Sequence, residues 1–129
     1  LKARERLAEA DPQSAQAQRD LSVSLDKLGN VELQAGNLAA ACERFQRSLE
    51  IAERLAEADP QSAQAAFDLY ISHQWLARVA KARAEREEQV HHLNAAKAVL
   101  DAMETRGQYD GYAALERARR YIETQLLER

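Results

Sequence analysis

The chain has 129 residues, enough for one ordinary domain, with 30% of them charged and a formal net charge of −3. That balance gives no general pull toward nucleic acid or an anionic membrane surface. Ala, Glu, Leu, Arg and Gln predominate. All are good helix formers, and four glycines and two prolines are too few for an all-β chain. No apolar run approaches the ~20 residues of a membrane span, and no secretory apolar stretch opens the sequence. The single cysteine, Cys42, excludes a disulfide within the chain and fits a reducing compartment, so the expected location is cytoplasmic.

The segment ERLAEADPQSAQA stands at residues 5–17 and again at 53–65, thirteen identical residues at an offset of 48. The echo extends further. Asp20, Leu21, Ser24, Leu28 and Val31 recur as Asp68, Leu69, Ser72, Leu76 and Val79, and Leu1 and Leu7 fall on Leu49 and Leu55. A fixed period of this kind is the signature of stacked supersecondary units. The expected organisation is one repeat domain over 1–129. Residues 1–10 are read as the tail of a preceding repeat, 11–58 as repeat 1, 59–106 as a degenerate repeat 2, and 107–129 as a C-terminal capping helix. On this reading the chain is a fragment of a longer array.

In chain order, Asp11-Pro12-Gln13-Ser14 breaks the first helix. Leu21, Leu25, Leu28 and Val31 then form one face of a second. Ala35-Gly36-Asn37 is a stop signal, with Gly free to adopt the left-handed conformation and Asn able to cap the next helix. Leu38, Ala41, Cys42, Phe45, Leu49, Ala52 and Leu55 give that helix its apolar face. At Asp59-Pro60-Gln61-Ser62 either Asp59 or Ser62 can cap the following helix. At Arg83-Ala84-Glu85-Arg86 no turn former is present. A polar turn and a continuous helix both fit, and a turn is preferred because a helix of ~40 residues is rare in a small domain. Thr105-Arg106-Gly107 and Tyr109-Asp110-Gly111 predict a loop, with Asp110 a capping residue. Tyr112, Leu115, Ile122 and Leu126 predict a last amphipathic helix whose polar back closes the stack. The predicted fold is therefore all-α: about five helices plus an N-terminal helix stub.

The stretch LDKLGNVELQAGNLAAACERF resembles the tetratricopeptide repeat, W-x2-L-G-x2-Y followed by A-x3-F and P. Leu25 stands at the Trp position, Leu28-Gly29 is the Leu-Gly pair, Ala41 and Phe45 match A-x3-F, and Pro60 is the closing Pro. Glu32 departs from the Tyr. The period of 48 exceeds the usual 34 by about two turns per helix, which keeps the same faces inward. Long-helix repeats of this kind are similar to the kinesin-light-chain-like variety of bacterial multidomain proteins. The resemblance implies a right-handed α-solenoid of antiparallel helix pairs. It also implies a concave groove, lined by the first helix of each pair, that takes a peptide or partner helix. Carried over by position, the groove residues are Asp26, Asn30, Leu33 and Gln34 from one unit and Gln74, Trp75, Arg78 and Lys81 from the next. Trp75 falls just after the packing position held by His73, so both core and groove are open to it. Asp26 is acidic where a carboxylate clamp needs a Lys, which argues against a chaperone tail as ligand.

No catalytic constellation is legible: there is no P-loop, G-x-G-x-x-G or G-x-S-x-G. The chain is expected not to be an enzyme and to need no cofactor or metal. His91 and His92 are neighbours and point about 100° apart; Glu87/His91 and Glu88/His92 have i,i+4 spacing, but H-E-x-x-H is absent. An ordinary, partly exposed helix face is expected there. Cys42 is read as a small buried hydrophobe. Arg78, Lys81, Arg83 and Arg86 form a basic cluster blunted by Glu85, Glu87 and Glu88, so neither nucleic acid nor membrane is an expected partner. The expected function is a protein–protein interaction scaffold. The alternatives are a structural or oligomerisation spacer, self-associating through an exposed repeat end, or a sensor arm for an enzyme domain absent from this chain.

Overall fold

A computed structural model of the chain describes residues 1–108 and 113–128. The described residues form six helices and no strand: α1 (Lys2–Ala10), α2 (Ala15–Gln34), α3 (Leu38–Ala58), α4 (Ala63–Ala82), α5 (Arg86–Thr105) and α6 (Ala113–Leu127). Each helix packs on its chain neighbour, and α2 also touches α4. The helices α2 to α5, each about 30 Å long, are joined by connections of three or four residues and pack on one another, which makes chain neighbours among them antiparallel. The expected loop at 109–111 and the cap at Asp110 lie outside the described residues.

The duplicated segment folds the same way twice. Asp11 and Asp59 end α1 and α3 with nearly equal backbone angles, φ −140° and ψ 79° against φ −141° and ψ 82°. Ser14 Oγ then accepts from the Ala17 N–H at 3.1 Å, and Ser62 Oγ from the Ala65 N–H at 3.0 Å. The serine, not the aspartate, is the cap of each following helix, a bond worth about 1 kcal/mol. Asn37 holds the N-cap position of α3, yet its side chain makes no capping bond.

A turn, not a continuous helix, occupies 83–85, and it copies the turn one unit earlier. The Asn37 N–H bonds the Glu32 carbonyl at 2.8 Å and the Gly36 N–H bonds that of Leu33 at 3.1 Å. In unit 2 Glu85 bonds Ala80 at 2.8 Å and Ala84 bonds Lys81 at 3.1 Å. This double closure satisfies orphan carbonyls at a helix end and needs one left-handed residue. Gly36 (φ +82°) supplies it in unit 1, and Ala84 (φ +58°) supplies it in unit 2 with no glycine. The turn is hard to read in the sequence because the residue that usually announces it is absent.

The core is layered along the chain. Ala8, Leu21, Leu25 and Ile51 join α1 to α2 and α3. Ala41, Phe45, Leu49, Leu76 and Val79 join α3 to α4, with Leu33 and Trp75 packed against them. Leu93, Leu100, Met103, Leu115 and Ile122 carry the core through α5 to α6. Phe45 is fully buried, and a Cβ placed on Gly29 would lie 2.6 Å from its ring. Gly29 therefore exists to admit Phe45. One unit later the pair is Ala77 and Leu93, both buried in one cluster: the methyl added on one helix is offset by the smaller side chain on the other.

α6 adds polar contacts to its apolar ones. The Arg86 guanidinium donates to the carbonyls of Gln125, Leu126 and Glu128, covering the end of α6 where orphan carbonyls and the helix dipole favour a cation. Arg119 reaches Asp101 at 2.6 Å and Glu104 at 2.7 Å.

Gly29→Ala lowers the unfolding free energy by about 1–3 kcal/mol through overpacking. Adding Phe45→Leu, the pairing used in unit 2, recovers part of that loss in urea melts. Equal losses in the single and double variants would remove the ring contact as the cause. Ala84→Gly raises stability by about 0.5–1 kcal/mol in the same assay, since it relieves an alanine of a left-handed backbone.

Candidate functional site

The first helices of the two units, α2 and α4, lie side by side, tied by the Arg19 Nε–Asp68 Oδ2 ion pair at 2.8 Å. The eight residues carried over by position fall on these helices, and the structure divides them. Leu33 and Trp75 pack partly buried against the same α3–α4 cluster. The Trp75 ring stacks on Phe45 with centroids 5.0 Å apart and planes 7° from parallel, and the Arg78 guanidinium carbon lies over it at 4.9 Å. Core and surface therefore share this tryptophan. Arg78 is exposed and forms no ion pair among the described residues.

Two of the other members, Gln74 and Lys81, are committed within the fold. Gln74 is buried at 9% exposure and donates to the Tyr70 hydroxyl at 3.0 Å, so it is a core residue rather than a groove residue. Lys81 is exposed but reaches α6, donating to Gln125 Oε1 at 3.0 Å and lying 3.5 Å from Glu128. Gln34 donates to Asn30 at 3.4 Å within one turn spacing of α2. Asp26 is half-buried, and its Oδ1 is a buried acceptor with no hydrogen-bond partner among the described residues. Burial raises its carboxyl to about 6; the Ser48 hydroxyl opposes this and the Asp68 charge adds to it. Exposed Tyr121 of α6 stands with Arg78 and Lys81 around a small cleft, and no spacing in the sequence marks it.

The basic cluster does not survive as a cluster. Lys81 and Arg86 both turn to the end of α6, and Arg83 pairs with Glu85 at 2.6 Å. The histidines also depart from expectation. His91 is exposed, but its neighbour His92 is buried at 7% exposure, and its Nδ1 meets Nδ1 of half-buried His73 at 3.0 Å across α4 and α5. Position 73 is occupied by Leu25 in unit 1, where it is fully buried. That change from leucine to histidine at a core position is the signal the sequence offers. Cys42 is only partly buried, on the flank of the α3–α4 cluster. Among the described residues no group of three or more His, Cys, Asp or Glu side chains could hold a metal ion. No helix among them is long and apolar enough to cross a membrane.

Comparison with protein-family models, with curated proteins and with solved structures finds no match to this chain.

Two buried groups give opposite pH dependences in one window. Burial lowers His73 from 6.5 to about 4, the neighbouring imidazoles adding to the shift, so the fold favours neutral His73. Its share of stability is present above pH 6.5 and is lost as pH falls toward 4. Asp26, raised from 3.8 to about 6, favours the protonated form, so its penalty is relieved as pH falls from above 6 toward 4. His73→Leu, the unit 1 residue, should flatten the acid-side loss in melts across pH 4–7.5. Asp26→Asn should stabilise by about 1–2 kcal/mol at pH 7.5 and much less at pH 4. A pH-independent effect of either substitution would refute the titration as its origin.

Proposed function

We propose that the chain is a protein–protein interaction scaffold, a right-handed helical-repeat solenoid similar to tetratricopeptide arrays. It binds a peptide or partner helix across the face where α2 meets α4. The observation that carries this reading is the group of Trp75, Arg78 and Leu33: an aromatic anchored on Phe45, a guanidinium over it with no ion pair among the described residues, and a half-exposed leucine packed on the same cluster. Trp and Arg are the residue types enriched at interface hot spots, and anchoring from below spares the cost of ordering on binding. Gln74 supports the face from within, and Lys81 ties it to α6. The eight residues thus reduce to a contact patch of Leu33, Trp75 and Arg78, flanked by Asn30 and Gln34, with Asp26 at its deeper edge.

A second reading, self-association through an open end, has its own observation. Val31 is 64% exposed, whereas its unit 2 counterpart Val79, covered by α3, is 1% exposed. Val31 is the exposed large hydrophobic on α2, at the position equivalent to that interface. Sedimentation across concentration separates the readings. Self-association abolished by Val31→Glu supports the second, and a monomer at all concentrations sinks it.

For the first, peptides selected by display against the full chain should change the fluorescence of Trp75, the only tryptophan. Arg78→Glu should weaken them by roughly five- to thirty-fold, as loss of a hot-spot contact does. Unchanged affinity in both Arg78→Glu and Trp75→Leu, with helical content intact, would exclude this face.

A further inference from the structure

The duplicated segment builds the same depression twice. Glu5, Ala8, Glu9, Pro12 and Leu21 line one of about 300 Å³, together with Gln18 and Arg47. Forty-eight residues on, Glu53, Ala56, Glu57, Pro60 and Leu69 line one of about 360 Å³, together with His73 and Arg106. Five wall positions thus carry the same residue in both: two carboxylates at the rim above an apolar floor.

The two differ in the cation beside the carboxylates. In the first, Arg47 of α3 stands on the wall and its Nη2 lies 3.7 Å from Glu5 Oε2. The position equivalent to Arg47 on α5 is Ala95, which has no charge to offer. Glu53 and Glu57 are exposed and have no ion-pair partner among the described residues. The cation on that wall, Arg106, donates to the Pro60 carbonyl at 3.3 Å rather than to either carboxylate. In the first unit one of the two carboxylates, Glu5, thus meets an arginine of the chain itself; in the second unit neither carboxylate does.

We propose that the depression at Glu53, Glu57, Pro60 and Leu69 receives an arginine side chain from a partner polypeptide, in the place that Arg47 holds against Glu5. The guanidinium meets the Glu53 and Glu57 carboxylates, which suit its planar donor fork. Its methylene stem lies along Ala56, Pro60 and Leu69, as long cationic side chains lie on apolar surface. The wall shares no residue with the patch around Trp75, so the two sites are tested independently. A partner engaging both would gain by linkage.

The test is an NMR titration of the full chain with N-acetyl-arginine methylamide, using the citrulline analogue as the neutral isostere. Saturable shifts are expected at the amides of 53–60 and 69–73, in the millimolar range for so small a probe, with little change at 5–12. The citrulline analogue should give none. Ala95→Arg, which places the unit 1 residue beside the pocket, should abolish the shifts by offering Glu53 a guanidinium of the chain itself. Glu53→Gln with Glu57→Gln, both on exposed side chains, should weaken binding roughly five-fold or more and decides the matter if Ala95→Arg disturbs the fold. Equal response to both probes, equal response at the two depressions, or unchanged binding in the glutamine variant would overturn the proposal.

Discussion

Phe45 is the residue through which the two units become one body. Its ring sits directly on the Gly29 backbone of α2 and stacks on Trp75 of α4, so a single side chain from α3 sets the distance to one helix and the rotation of another. Hard-core repulsion fixes the first contact: no Cβ fits at 2.6 Å. Ring stacking together with burial fixes the second. Trp75 can be half-exposed and still held in place because its underside is already packed. What reaches solvent at the candidate interaction patch is thus decided by an interior contact.

Unit 2 solves the same packing problems with other residues. Ala77 against Leu93 replaces Gly29 against Phe45, and Ala84 replaces Gly36 at the left-handed position. The buried polar pairs change as well. Ser22 and Ser48 share a hydroxyl contact at 2.7 Å in unit 1; Tyr70 and Gln74 bond at 3.0 Å in unit 2. Each exchange conserves either volume or hydrogen-bond satisfaction, which the backbone requires, and leaves identity free. Ser72 is an exception: its hydroxyl is buried with no partner among the described residues.

Charged groups divide into those that hold the fold and those with no ion pair among the described residues. Arg86, Arg119 and Lys81 secure α6, and Arg19 ties α2 to α4. Most of these pairs are exposed and individually weak, so their value lies in orientation. Arg78, Glu53 and Glu57 have no such duty. The contrast between Arg47, which neutralises its local carboxylate, and Ala95, which does not, makes the outer depression of unit 2 a place where the chain's own chemistry is incomplete.

The sequence by itself determined the all-helical architecture, the 48-residue period, the Asp-Pro breaks and the apolar faces. Each of these is a local consequence of propensity and spacing, written within a few residues. It also placed Leu33, Trp75 and Arg78 on one pair of helices. Only the tertiary structure decided that Gln74 points into the core, that Lys81 serves α6, and that His92 turns inward to His73 while His91 faces out. Adjacent positions on a helix differ by about 100°, and the small rotation of one helix against its neighbours chooses between them. The turn at Ala84 belongs to the same class: no local signal specifies it, and packing of α5 against α4 holds an alanine where a glycine would be at ease.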